Sequence, residues 1–291
     1  MLSVGDLDIL DLYDWLGSQS SVGDLLGHHQ STVSRRLVVA HQTFDLGKPP
    51  EWADQREGME SKLLELERRV HQHRRFILGE GLRLQRYRYA LVLSGSTLPP
   101  GWSANPWEVP LSARDPIALL ADSVLDALLA PYPLIKDLHD PELEAFPVCS
   151  LPLHLLVSRD CPLARETGLT ATDVASTTAA DAFEDIPAVA SACVLGVDQQ
   201  LFGAKASDRN PQHRRFWGSR AIPLLNPSLT VLDFELPVRH KEFLVVRREW
   251  SQHTQIQQLL EHLCLAMKQR HQQGTAPGAK PIEDLQVESY R

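Results

Sequence analysis

Between residues 54 and 86 the apolar side chains fall into a narrow seam. Met59, Leu63, Leu66, Val70, His73 and Ile77 are spaced 4, 3, 4, 3, 4, a period of 3.5. That period suits one helix running along another. The flanks of the seam are charged, with Glu57, Glu60, Lys62, Glu65, Glu67, Arg68 and Arg69. A long helix over 54–86 is therefore expected, with Met59, Leu63, Leu66, Val70 and Ile77 pairing two copies of the chain. The other arrangement for such a helix is to lie along its own globular domain. His73 on the seam is expected to pack or hydrogen-bond rather than to hold a metal.

What precedes this helix is punctuated into three short helical pieces. The first runs Leu7 to Leu16 and ends at Gly17. The second spans Ser20 to Leu26, where Ser20 or Ser21 can cap it. Gly27 supplies the tight turn before the third, which starts near Gln30. Val33 and Leu37 are four apart and share a face that can pack on the first two helices. Gln30, Ser31, Thr32, Ser34, Arg35 and Arg36 are left for the outer surface. Their chemistry suits a DNA groove: Gln pairs with adenine, Ser and Thr donate and accept, and Arg reads guanine or clamps phosphate. Residues 47–53 (GKPPEWA) break the helical run, because two adjacent prolines do not fit inside a helix.

After Tyr89 short apolar runs alternate with amphipathic segments, the pattern of an α/β domain. The first strand is expected at Tyr89–Leu93, followed by a loop containing Pro99, Pro100, Pro106 and Pro110. The last 18 or so residues lack periodicity and are expected to be mobile. The divisions are then 1–53 for the helix-turn-helix, 54–88 for the connecting helix, 89–271 for the α/β part and 272–291 for a tail.

Charge and composition narrow the function classes. The net charge of −8 argues against bulk, sequence-independent nucleic-acid binding. Local basic surfaces are still available: residues 68–88 hold Arg68, Arg69, Arg74, Arg75, Arg83, Arg86 and Arg88 against the single acid Glu80. Cys149, Cys161, Cys193 and Cys264 are far apart and form no C-x-x-C pair, so they read as reduced structural cysteines. His28 and His29 read as surface histidines at a DNA-facing turn rather than a metal site. No cofactor, metal or catalytic constellation is written here, and an enzyme is not expected. No run of 18 apolar residues is present, and the N-terminus is acidic where a secretory signal is basic, so a cytoplasmic protein without membrane contact is expected.

The segment SSVGDLLGHHQSTVSRRL resembles the signature of the LysR-type transcriptional regulators. Gln30, Ser31, Thr32, Val33, Ser34 and Arg35 fall on the run that opens that family's recognition helix. The seam-bearing helix resembles the family's linker helix. The segment FPVCSLPLHLLVSRDCPLA (146–164) is similar to the strand-and-turn of its effector domain, with Cys161 in a position commonly held by His. The segment EFLVVRREW (242–250), with the amphipathic stretch to about Arg270, is similar to its closing strand and helix.

The resemblance implies an α/β chain with an N-terminal all-α winged helix-turn-helix and a long linker helix. It also implies a C-terminal two-lobed domain of periplasmic-binding-protein type. It implies double-stranded DNA as partner, a small-molecule effector between the lobes, and a homodimer or tetramer. Ser20, Ser21, Gln30, Ser31, Thr32, Ser34, Arg35 and Arg36 would contact DNA; Ser94, Ser96 and Thr97 would meet the effector. One lobe is expected near 89–146 plus 251–271, the other near 147–250. The wing is shortened to VVAHQTFDLGKPPEW and lacks the family's arginine. The alternative is a LysR-like interaction protein that has lost specific DNA binding or ligand sensing.

Overall fold

A computed structural model describes residues 4–44, 59–86, 94–95, 97–105, 115–131, 135, 138–170, 173, 178–179, 214–218, 228–272 and 280–281. Three helices come first: α1 (Val4–Leu16), α2 (Gln19–Leu26) and α3 (Gln30–Thr43). The connecting helix α4 (Met59–Leu78) follows. The remainder is β1 (Leu82–Arg86), β2 (Trp102–Ala104), α5 (Pro116–Ala121), β3 (Ala127–Pro131), β4 (Leu143–Ser158), β5 (Thr178–Ala179), β6 (Arg214–Gly218), β7 (Leu229–Arg247), α6 (Thr254–Gln272) and β8 (Lys280–Pro281).

α1 carries apolar residues on several sides, as a helix packed against more than one neighbour does. Leu7, Ile9, Leu10, Leu12, Trp15 and Leu16 are all buried. Some of them meet Val22, Val33, Leu37 and Ala40 of α2 and α3 in a core that continues without a break into the sheet domain, through Leu64, Leu119, Leu125, Leu128 and Val245. The helix-turn-helix unit is thus packed onto the α/β domain of its own chain.

The polar residues of α1 make the same contact specific. Asp8, Asp11 and Asp14 lie three apart, on one side of the helix. Arg68 of α4 donates from Nε to Asp11 Oδ1 at 2.7 Å and from Nη2 to Asp14 Oδ2 at 2.7 Å. Arg83 of β1 reaches Asp8 at 3.0 Å and Asp11 at 3.4 Å. Arg75, one heptad after Arg68, grips Asp126 through Nε and Nη2, both at 2.9 Å. The Arg83 backbone N–H also donates to Asp126. Trp15 Nε1 donates to Gln85 Oε1 at 2.7 Å. Burial works against the charge of Asp8, but His71, with Nδ1 3.8 Å from Oδ1, and the charge of Arg83 outweigh it and hold the carboxyl below its usual range. Burial likewise opposes the charge of Arg68, yet Asp11 and Asp14 raise its pKa above the ordinary value.

Several sequence expectations change here. The helix stops at Leu78, not 86, because Gly79 and Gly81 take positive φ angles of 64° and 69°. The next five residues are the buried strand β1, so the sheet begins before the expected Tyr89–Leu93, which lies outside the described residues. Arg68, Arg75, Arg83 and Arg86 are buried and do not form a basic surface. The seam of α4 is the face that is left open: Leu63, Leu66, Val70 and Ile77 are exposed, while Leu64, Arg68, Gln72, Arg75 and Phe76 face the interior. The Met59 side chain lies outside the described residues.

The strands order as β2-β1-β3-β7-β4-β6-β5, with β8 on β4. β1 is parallel to β2 and β3. β3 is antiparallel to β7, and β7 to β4 along most of their length. The first part of β4 and the last part of β7 belong with β3, whereas the end of β4 pairs with β6. These two strands are the crossovers between two lobes. The second lobe therefore stops short of 250, since residues 242–247 pair inside the first. Register shifts fall at Pro147/Cys149 and Pro152/His154, where proline has no N–H to give the ladder. Two residues of the expected mobile tail, Lys280 and Pro281, pair with Ser150 and Cys149. α6 buries Ile256, Leu259 and Leu263 in a second core with Phe76, and Phe76 stacks on Trp250 at 4.2 Å.

Replacing Asp11 by Ala removes one of the two carboxylates that each of Arg68 and Arg83 meets in the interior and should lower the unfolding free energy by about 3 kcal/mol. Lys62→Ala, which breaks the exposed Lys62–Glu65 pair, should change it by less than about 0.5 kcal/mol. Urea unfolding of both variants checks the contrast.

Candidate nucleic-acid interface and effector site

The turn between α2 and α3 is built by short-range chemistry. Ser18, rather than Ser20 or Ser21, caps α2 by accepting from the Ser21 N–H at 3.4 Å. Gly27 ends α2 in the left-handed conformation, at φ 65°. At Gly23 a side chain would sit 2.6 Å from the His28 carbonyl oxygen, so the close approach of helix and turn requires glycine there. The His28 N–H closes this turn on Gly23 O at 2.8 Å.

α3 is capped by His29, a role the sequence reading does not assign. The Ser31 N–H donates to His29 Nδ1 at 3.3 Å, and Ser31 Oγ lies 2.9 Å from the same nitrogen. Accepting at Nδ1 requires a neutral ring with its proton on Nε2. The signal in the sequence is weak, since His is not a preferred cap residue.

From this start α3 buries Val33, Leu37 and Ala40. Gln30, Ser31 and Arg35 are exposed, and Thr32 and Ser34 half-buried. Arg35 Nε donates to Ser31 O at 3.2 Å, which lays its side chain along the helix toward the N-terminal turn. Arg36 departs from the expected set: its Nε donates to Asp6 Oδ1 at 2.6 Å, so it ties α3 to the start of α1. Ser20 is exposed and Ser21 half-buried on α2. The α3 residues form one polar patch at a helix N-terminus, where amide N–H groups and the helix dipole favour a phosphate. The wing region, 45–58, lies outside the described residues.

The expected effector residues separate. Ser94 is buried beside Arg86, with Nη1 to Oγ at 3.4 Å. Thr97 is exposed, and its carbonyl lies 3.1 Å from His262 Nε2 of α6. Ser96 is outside the described residues. Cys149 and Cys161 are buried and free, and burial pushes the Cys149 thiol up. His73 packs edge-on to Trp250 at 4.6 Å and lies 2.9 Å from Arg69 O. Among the described residues no group of His, Cys, Asp or Glu has the arrangement of a metal site, and no helix is long and apolar enough to cross a membrane.

His29→Ala should cost about 1 kcal/mol of stability, whereas His29→Asn, which keeps a side-chain acceptor, should cost less than half of that. Hydrogen exchange of the Ser31 amide measures both.

No family profile matches the sequence, nor does any curated protein sequence. The fold has many counterparts among solved structures. A cysteine mutant of Corynebacterium glutamicum OxyR with hydrogen peroxide bound is similar over 92% of this chain and 94% of its own, at 14% identity and a TM-score of 0.50. A second cysteine-mutant structure of OxyR from the same organism gives 0.51 at 14% identity, over 92% of this chain and 93% of its own. CbnR, a LysR family transcriptional regulator, is similar over 91% of this chain and 99% of its own, at 12% identity and a TM-score of 0.50. At such identities the likeness speaks for architecture. Three-helix unit, connecting helix and two-lobed α/β domain together have the fold seen in a LysR-family transcriptional regulator.

Proposed function

We propose that this chain is a DNA-binding transcriptional regulator of the LysR type, acting in the cytoplasm as a homodimer or tetramer and responding to a small molecule held between its lobes. The observation that carries this reading is α3. Gln30, Ser31, Thr32, Ser34 and Arg35 occupy the N-terminal turns of a helix whose opposite face is buried, the placement that lets a helix enter a major groove. Ser20 and Ser21, on the preceding helix, would contact the backbone. Arg36 would act through Asp6, setting the angle between α3 and α1.

The open seam of α4 supports pairing of two copies. Leu63, Leu66, Val70 and Ile77 stand exposed along one side of a helix of 20 residues. Two readers joined this way would address two half-sites, and the linkage would raise effective affinity without new contacts. The divisions proposed for the working protein are the reader, to residue 53, the linker helix, the α/β domain to 271 and the terminal segment. Ser94 and Thr97, with Ser96, would lie at the effector site.

Ser34→Ala with Arg35→Ala should weaken operator binding at least about tenfold and leave the thermal unfolding unchanged, as expected when direct base and phosphate contacts are lost. Undiminished capture of the same genomic fragments by the double variant would remove α3 from the interface. The wild-type affinity should fall steeply with salt; failure to retain any genomic fragment at low salt would favour the interaction-protein alternative. Leu66→Asp, at an exposed position, should yield folded monomers by light scattering, and an unchanged oligomer would exclude α4 from the assembly.

A further inference from the structure

Arg86 differs from the other buried arginines of the connecting segment. It is only 7% exposed, yet no carboxylate meets it among the described residues. Its backbone is fully used. The N–H donates to Asn105 Oδ1 at 2.7 Å, and the carbonyl accepts from Asn105 Nδ2 at 3.0 Å and Gln85 Nε2 at 3.1 Å. Its guanidinium is not. Nη1 donates to Gly95 O at 2.8 Å and approaches Ser94 Oγ at 3.4 Å. Nε is buried without a partner among the described residues, and no bond from Nη2 is seen there. Burial, unopposed by any counter-charge, brings the pKa of Arg86 down to about 10.

A desolvated cation without a counter-ion is costly and is tolerated where an anion completes it. The edge left open is Nε with Nη2, the two parallel N–H groups that grip a carboxylate side-on. Arg86 also stands at the carboxyl end of β1, a strand running parallel to both its neighbours. Open α/β sheets bind ligands beyond that end of their parallel strands. Ser94, at the start of the next described segment, adds a hydroxyl beside the guanidinium.

We propose that Arg86 and Ser94 anchor a carboxylate group, and that the small molecule recognised by the α/β domain is a carboxylic acid. This rests on the reading of that domain as ligand-binding. It does not rest on DNA binding.

The test uses the full chain without DNA, with sodium acetate as the carboxylate probe and acetamide as its uncharged counterpart. Sodium chloride and sodium sulfate at matched ionic strength complete the series. Acetate should raise Tm saturably, while acetamide and chloride leave it flat. Arg86→Met, which replaces an uncompensated charge with an apolar chain, should fold at least as stably as the wild type in the absence of acetate. Its apparent acetate affinity should fall roughly 10- to 100-fold, as expected for loss of a bidentate charged pair. Arg86→Lys, which supplies a point charge without the fork, should fall between the two.

Acetamide or chloride stabilising as much as acetate would overturn the proposal, as would sulfate acting in its place. A full acetate response in Arg86→Met would overturn it equally. Should Arg86→Met fail to fold, the wild-type comparison of acetate with acetamide decides the matter. An acetate response in a chain that retains no DNA supports the anchor and counts only against the reader.

Discussion

Three aspartates on one helix, two of them buried, meet arginines from two other elements and hold the two ends of this architecture together. Asp8, Asp11 and Asp14 of α1 meet Arg68 of α4 and Arg83 of β1, and Asp126 closes the network on Arg75. Hydrophobic burial alone would let α1 slide or rotate against α4, because Leu and Ile contacts are not directional. Paired charges in the interior are different. Each tolerates little displacement before it leaves a carboxylate or guanidinium unpaired, and an unpaired buried charge is expensive. The network therefore specifies one docking angle between the three-helix unit and the sheet.

That docking has a functional consequence. α3 is fixed on α1 by Val33 and Leu37 and by the Arg36–Asp6 pair. α1 is in turn fixed on β1 through Arg83 and through Gln85, which accepts from Trp15. Gln85 precedes Arg86 directly. The polar outer face of α3 and a desolvated cation at a strand end are thus joined by a short series of packed and hydrogen-bonded residues within one chain. A ligand at the strand end would influence α3 only by preferring one arrangement of this series over another. The open seam of α4 lies on the opposite face of the helix that carries Arg68 and Arg75. One helix can then serve its own domain with one side and a second copy with the other.

Local chemistry made much of this readable. The three N-terminal helices follow from Gly17, Gly27 and the apolar spacing around them. The start of α3 at Gln30 and the burial of Val33 and Leu37 follow from helical periodicity. The approach of Ser94 to Arg86 was not legible, because only the fold brings these two side chains together. The cap on α2 was misplaced by two or three residues, since Ser18, Ser20 and Ser21 offer the same oxygen and only backbone geometry chooses among them.

By itself the sequence determined element type wherever glycine punctuation and a clear period agree, and it determined the outward polar face of α3. Tertiary structure decided which faces of α4 were inside. Periodicity singled out the aliphatic seam, yet the buried face is the one rich in arginine. Hydrophobic pattern assigns charge to water, and it is blind to a matching set of aspartates some sixty residues away. It likewise carried helix through Gly79 and Gly81 into what is strand, because β1 holds Arg83, Gln85 and Arg86 in its interior. The physical reason is the same in both places. Whether a charged residue belongs to solvent or to the core depends on a partner brought by the fold.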